Sequence, residues 1–262
     1  MKKTYRQTER HDPQKLIGRG NFVDVYNGEY GPEKRNVFIK QLHSGLSQDD
    51  RSVFLEEGRT AMQLDHPHLL KVKALVSQHR PPYLVLDYDR AYSLFRQRHP
   101  AGEVLPPTLI GRYTRQIAAA LAYMHHAGLT HQHLRPENLV VSENDDILLA
   151  DLSIMAFTQQ SDAQEIHPPV NATLYMAPER FLGISKPASD QHSLAVMTYE
   201  WFTGSPLPGE IILQCLTTSP SSQLRHAEQI PSTAKQALLK ALASNPEERF
   251  DSITAFVAAL GI

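Results

Sequence analysis

The hydrophobic periodicity of the chain changes once, near residue 86, and that change limits the architecture more than any other feature. Before it, apolar residues come in short runs. "PQKLIGRGNFVDVYNGEY" sets Leu16, Ile17, Val23 and Val25 around a Gly turn, and "RNVFIKQL" and "PPYLVLDY" are apolar or β-branched runs bounded by polar residues and Pro. Such pieces predict a small antiparallel sheet. Between the second and third, "SQDDRSVFLEEGRTAMQLDHPH" repeats Phe54, Ala61 and Leu64 at helical spacing, begins in an acidic polar cap and stops before Pro67. One helix is therefore expected on that sheet. Beyond Arg90 the period is helical: "PPTLIGRYTRQIAAALAYMHHAG" repeats Ile110, Tyr113, Ile117, Leu121 and Met124 every three or four residues and closes at Gly128. "SLAVMTYEWFTG" and "STAKQALLKALASNPEERF" follow as further helices. The expected organisation is a strand-rich lobe over residues 1–86, a connector over 87–89 and a helical lobe over 90–262.

The chain has 262 residues, 41% of them hydrophobic, enough for a well-buried core in one large domain or two lobes. No apolar run approaches the roughly eighteen residues of a spanning helix, and the basic start "MKKTYRQTERHDPQK" lacks the apolar centre of a signal peptide. No membrane partner is expected. Cys215 is the only cysteine, which excludes an intrachain disulfide and fits a reducing cytoplasmic setting. A formal charge of -2 provides no basic field for nucleic acid or anionic lipid.

"THQHLRPENLVV", Thr130 to Val141, crowds His131, His133, Arg135 and Asn138 into one loop ahead of an apolar tail, as a catalytic loop would. Its neighbours give it meaning. "LIGRGNFVDVY", "VFIK", a helix bearing Glu57, "HQHLRPEN", "DLS", "YMAPE", "SDQHSLAVMTYE" and "NPEERF" occur in that order over nearly the whole chain. This succession resembles the eukaryotic-type protein kinase family, bacterial Ser/Thr kinases included. The resemblance implies an α+β fold, the bilobal protein kinase fold, as one domain over residues 1–262. Its N-lobe would be an antiparallel sheet with one helix, its C-lobe mainly helical, and its cofactors ATP and Mg²⁺.

Carried over residue by residue, the resemblance assigns Gly18 and Gly20 to the phosphate-covering hairpin, with Val23 in place of the third glycine. Lys40 matches the phosphate-binding lysine and Glu57 its ion-pair partner. Val25, Leu86, Tyr88 and Val140 complete the implied nucleotide-binding set. Phe38 stands where the family usually places alanine as the roof over adenine, and a benzyl group buries on the order of 150 to 250 Å². Pointed inward, it would fill the adenine space; turned aside, it would pack the sheet.

In the lower lobe His131 matches the structural histidine, expected in a column with Leu152, Ala61 and Val72. Gln132 replaces the arginine that commonly reads activation-loop phosphate, and His133 replaces the aspartate that accepts or orients the substrate hydroxyl proton. Arg135 replaces a phosphate-neutralising lysine, while Asn138 and Asp151 match the two Mg²⁺ ligands. Ser153 stands in place of a glycine, and Asn171 and Ala172 replace the Gly-Thr pair ahead of "YMAPE". Glu179 with Arg249 resembles the buried ion pair that fastens the activation segment, and Asp190 the helix residue that anchors the catalytic loop.

A scaffold retained while its chemistry is thinned reads as a pseudokinase, a scaffold or allosteric regulator acting on protein partners, with weak or no ATP binding. The alternative is an active but atypical Ser/Thr kinase using ATP and Mg²⁺. A lower-ranked alternative is metal binding by His125, His126, His131 and His133, because imidazoles ligate Zn²⁺ and Ni²⁺.

Overall fold

The computed structural model describes residues 15–19, 22–88, 92–150, 173–207 and 227–262. Its contacts divide into two units: one contains the described residues up to Asp65 with Lys71 to Tyr88, and the other contains His66 to Leu70 with everything described from Tyr92 onward.

In the first unit, strands β1 (Lys15–Arg19), β2 (Val23–Tyr30), β3 (Arg35–Leu42), β4 (Val72–Val76) and β5 (Tyr83–Asp87) pair antiparallel in the order β1-β2-β3-β5-β4. Register sorts the side chains. Val25, Lys40, Leu84 and Leu75 lie opposite one another across four strands, as do Asn27, Phe38, Leu86 and Val72, so all eight share a face. The other face carries Val37, Ile39, Tyr83 and Val85 as a buried apolar cluster, with Tyr26, Tyr30, Ala74 and Val76 packed around it.

Helix α1 (Gln48–Ala61) packs on the face that carries Lys40. Ser47 caps it: the Asp50 N–H donates to Ser47 Oγ at 3.1 Å and the Ser47 N–H donates to Asp50 Oδ2 at 3.1 Å. Its axis comes close to the sheet because residue 58 is glycine. A Cβ there would stand 2.8 Å from Leu84 Cδ2 and 3.2 Å from Leu75 Cδ1.

In the second unit, α2 (Phe95–Arg98) precedes α3 (Pro107–His126), whose stripe Ile110, Tyr113, Ile117, Leu121 and Met124 is fully buried as its spacing predicts. Helix α4 (Pro187–Thr203) is different. Every residue from Ser189 to Phe202 is buried, so it is a core rod rather than an amphipathic surface helix. It ends at Gly204, which adopts φ 75° and approaches Gly102 so closely that a Cβ would lie 2.6 Å from the Gly102 oxygen. Helices α5 (Ser232–Ala241) and α6 (Ile253–Ala259) follow, and α6 packs on α3, α4 and α5.

A small sheet, β6 (Ser93–Leu94), β7 (Leu139–Val141) and β8 (Ile147–Leu149), completes this unit. Residues 66–70 join it through backbone bonds from the Leu149 N–H to the His68 oxygen at 2.9 Å and from the Leu70 N–H to the Leu149 oxygen at 2.8 Å. Among the described residues no helix is long and apolar enough to cross a membrane.

Candidate active site

The loop between α3 and β7 is held from below by one carboxylate. Asp190, on α4 and 1% exposed, accepts the His131 N–H on Oδ2 and the Gln132 N–H on Oδ1, each at 2.8 Å. Its Oδ2 also lies 2.8 Å from His125 Nε2 at the end of α3. These bonds fix an unusual backbone. Gln132 has φ 65°, a left-handed conformation that costs a non-glycine residue about 1 to 3 kcal/mol. Hydrogen bonds to a charged acceptor contribute about 1.5 to 3 kcal/mol each, enough to hold it there.

Past that turn the His133 N–H donates to the His131 oxygen at 2.8 Å, and the half-buried His133 presents its own carbonyl to Asn138 Nδ2 at 2.8 Å. Asn138 is 9% exposed, and its backbone oxygen receives the Ala150 N–H at 2.9 Å, which ties the loop to the end of β8. Arg135 is half-buried with its Nε 3.9 Å from Glu137 Oε2, too long for a hydrogen bond. Val140 is fully buried in β7. The second unit thus joins His133 to Asn138, with Arg135 on the same loop and Val140 buried in the strand that follows. Asp151, Leu152, Ser153, Asn171 and Ala172 lie outside the described residues.

In the first unit, register alone places Val23, Val25, Phe38, Lys40 and Leu86 on one face. Lys40 is 7% exposed between Val25 and Leu84. Glu57 precedes Gly58, whose close approach to Leu84 brings the helix backbone to the lysine's strand neighbour. Gly18 faces Val25 with room for a Cβ at 3.9 Å, so the fold does not itself demand glycine there. Gly20 lies outside the described residues.

Phe38 is 5% exposed, and its ring stacks on Tyr88 with centroids 3.7 Å apart and planes at 24°. Burial raises the Tyr88 phenol above its ordinary pKa. Phe38 thus packs within the sheet on the face that bears Lys40.

The scaffold pair is formed. Arg249 Nη1 and Nη2 donate to Glu179 Oε1 and Oε2 at 2.7 and 2.8 Å, and Ser189 Oγ adds a third donor to Oε1 at 2.7 Å. Burial alone would raise the Glu179 pKa, but Arg249 and Ser189 outweigh it and the carboxyl is held below its ordinary value.

One network had no announcement in the sequence. Glu200, 2% exposed on α4, accepts the Tyr175 hydroxyl at 2.6 Å and Arg96 Nη2 at 2.7 Å. The available signal was a lone carboxylate inside the apolar run "SLAVMTYEWFTG".

The histidine metal centre is overturned. His125 is bound to Asp190, the His126 ring lies 3.1 Å from the Ala122 oxygen, and among the described residues no group of three or more His, Cys, Asp or Glu side chains could hold a metal ion. Consecutive positions at a helix end point in different directions, so closeness in sequence did not become convergence.

Comparison with known proteins gives the same family as the loop and sheet geometry. Residues 11–258 match the protein kinase domain family. Serine/threonine-protein kinase PknE of Mycobacterium tuberculosis is 32% identical over 252 residues, covering 90% of this chain and 43% of the relative. PknD of the same organism is 31% identical over 253 residues, covering 91% and 37%. PrkC of Bacillus subtilis is 26% identical over 251 residues, covering 93% and 39%. The chain spans less than half the length of each of these relatives. With a family match over nearly its full length and bacterial serine/threonine-protein kinases as its relatives, the chain belongs to the protein kinase family.

Proposed function

We propose that the chain is a kinase-fold signalling domain that transfers little or no phosphate, binds ATP weakly or not at all, and acts on protein partners as a scaffold or allosteric element. The observation that carries this reading is the loop 131–138, built and braced by Asp190, with His133 where the family has its proton-accepting aspartate. Imidazole has a different reach and no fixed negative charge. It is a poor replacement for a carboxylate that must orient a hydroxyl.

The Phe38–Tyr88 stack supports the weak-binding part. Tyr88 stacks on the Phe38 ring with centroids 3.7 Å apart, so these residues as arranged do not fit an adenine ring. Asn138 offers a hard oxygen donor suited to Mg²⁺, its amide nitrogen being engaged by His133. A cytosolic setting, inferred from the single cysteine, belongs to the same proposal, as does the lack of nucleic-acid and membrane partners.

The test is transfer of labelled phosphate from ATP to the protein itself and to generic Ser/Thr substrates. The expected signal does not exceed that of a Lys40→Ala control, because a positioned base alone typically contributes about 10² to 10⁴ in rate. Transfer that vanishes in both Lys40→Ala and His133→Ala would overturn the proposal. It would establish the second reading, an atypical active kinase, which the buried Lys40 and the braced Asn138 favour.

A further inference from the structure

Among the described residues five large apolar side chains are exposed, and three of them share one turn of the second unit: Phe181, Leu182 and Ile184, at 47%, 77% and 44%. Single apolar residues scattered over a surface are ordinary. Three within four positions make a patch, on the order of 300 Å² in area, and a patch of that size on a monomer is often functional.

The turn that carries the patch is fixed. The Arg180, Gly183 and Ile184 N–H groups donate to the Ala177, Arg180 and Glu179 oxygens at 2.9, 3.0 and 3.1 Å, and Gly183 reverses the chain at φ 75°. Its side chains are sorted against the usual rule. Glu179, held by Arg249 and Ser189, and Arg180 are buried, while Phe181 and Leu182, the next two residues, are exposed. Burial energetics alone favours the reverse. A turn locked by a buried ion pair presents these apolar groups to a partner at little further ordering cost.

We infer that the turn bearing Phe181, Leu182 and Ile184 is a docking surface for a short segment of a partner protein that carries two or three large apolar side chains. The area is too small for a second copy of this chain, because a stable protein interface takes about 800 Å² from each partner. The chemistry is apolar rather than ionic. Lys186, the next charged residue along the chain, is already paired with Glu247 at 2.6 Å. The inference gives a surface to the scaffold role proposed above, and rests on that reading for the partner being a protein.

The probe is a displayed library of random twelve-residue peptides, selected on the wild-type chain and counter-selected on Leu182→Asp. Enriched peptides are expected to share two or three large apolar residues and, once synthesised, to bind wild type with a Kd of about 10 to 100 μM, in the weak range that so small a contact allows. Leu182→Asp and Phe181→Ser should each weaken that binding about tenfold or more. Thermal unfolding checks both variants, and two exposed positions guard against misfolding of either.

A library that yields no enriched peptide would overturn the inference, as would peptides that bind the folded variants as tightly as wild type. So would a dimer in sedimentation equilibrium that Leu182→Asp dissolves, since the patch would then belong to a second copy. Failure of the underlying reading looks different: the chain would transfer labelled phosphate from ATP, with its peptide binding unchanged.

Discussion

Asp190 accepts the Gln132 N–H at 2.8 Å while Gln132 is held at φ 65°, so the strained residue of the catalytic-type loop is fixed by a side chain from α4. The brace acts on the backbone. It is indifferent to which side chain stands at position 132 or 133, so loop geometry and loop chemistry are separable here.

Replacing that brace should be felt in stability. Asp190→Asn keeps the shape but presents an NH₂ group to one of two N–H donors and removes a charge from a buried site. We expect a loss of about 3 kcal/mol, within the range for breaking buried charged hydrogen bonds. Urea unfolding followed by the single tryptophan, Trp201, which is 2% exposed, would measure it. A change under about 0.5 kcal/mol, typical of an uninvolved surface site, would contradict the brace.

Glu179 and Arg249 give a second, sharper case. Arg249 also donates to the Ala243, Ala188 and Ser244 oxygens at 2.9, 2.8 and 3.3 Å, so Arg249→Met strands a buried carboxylate and three carbonyls. The expected loss is about 3 to 5 kcal/mol. Glu179→Leu combined with Arg249→Met should cost less than the two single losses added, which a double-mutant cycle reads directly.

His192 predicts a pH dependence. Buried on α4 with neither ring nitrogen hydrogen-bonded, it has its pKa lowered to about 3, chiefly by burial and further by Arg249. The unfolded chain takes up a proton near pH 6.5 and the folded chain does not, so stability is full above about pH 6.5 and falls as pH drops toward 3. The slope contributed by this group approaches about 1.4 kcal/mol per pH unit. In His192→Phe that part of the acid slope should disappear, whatever the change in stability at neutral pH. Unfolding midpoints of both proteins at pH 7, 6 and 5 would show it, and parallel slopes would contradict it.

Gly58 sets two effects against each other. Alanine is favoured over glycine within a helix by about 1 kcal/mol, but its Cβ would meet Leu84 Cδ2 at 2.8 Å, and overpacking a buried contact costs about 1 to 3 kcal/mol. We expect Gly58→Ala to be destabilising by about 1 kcal/mol in urea unfolding. Stabilisation would mean that the Leu84 and Leu75 side chains yield freely.

What the sequence revealed follows from which features repeat. The stripe Ile110, Tyr113, Ile117, Leu121 and Met124 and the alternating faces of β2 and β3 are periodic, and period survives in a one-dimensional string. The ordered landmarks around Lys40, His131 and Glu179 likewise made the family and the scaffold pair readable. Single long-range partners leave no such trace. Nothing near Arg96 points to Glu200, and nothing near Tyr88 says that its ring lies on Phe38. Strands of two or three residues such as β6 and β7 are too short to alternate, so the small sheet was invisible too. Gly58 was the missed opportunity, because an isolated glycine inside a helical pattern already signals close backbone approach.

The rod from Ser189 to Phe202 has no wet side, and this bears on how such a molecule can change over generations. A helix with a solvated face can drift there without consequence. This one cannot, since each of its positions is answered by another element packed against it. The groups that would perform chemistry sit instead on the loop above, where His133 contributes its carbonyl to the structure. Selection for shape and selection for reaction therefore act on different residues, and either can lapse while the other is maintained.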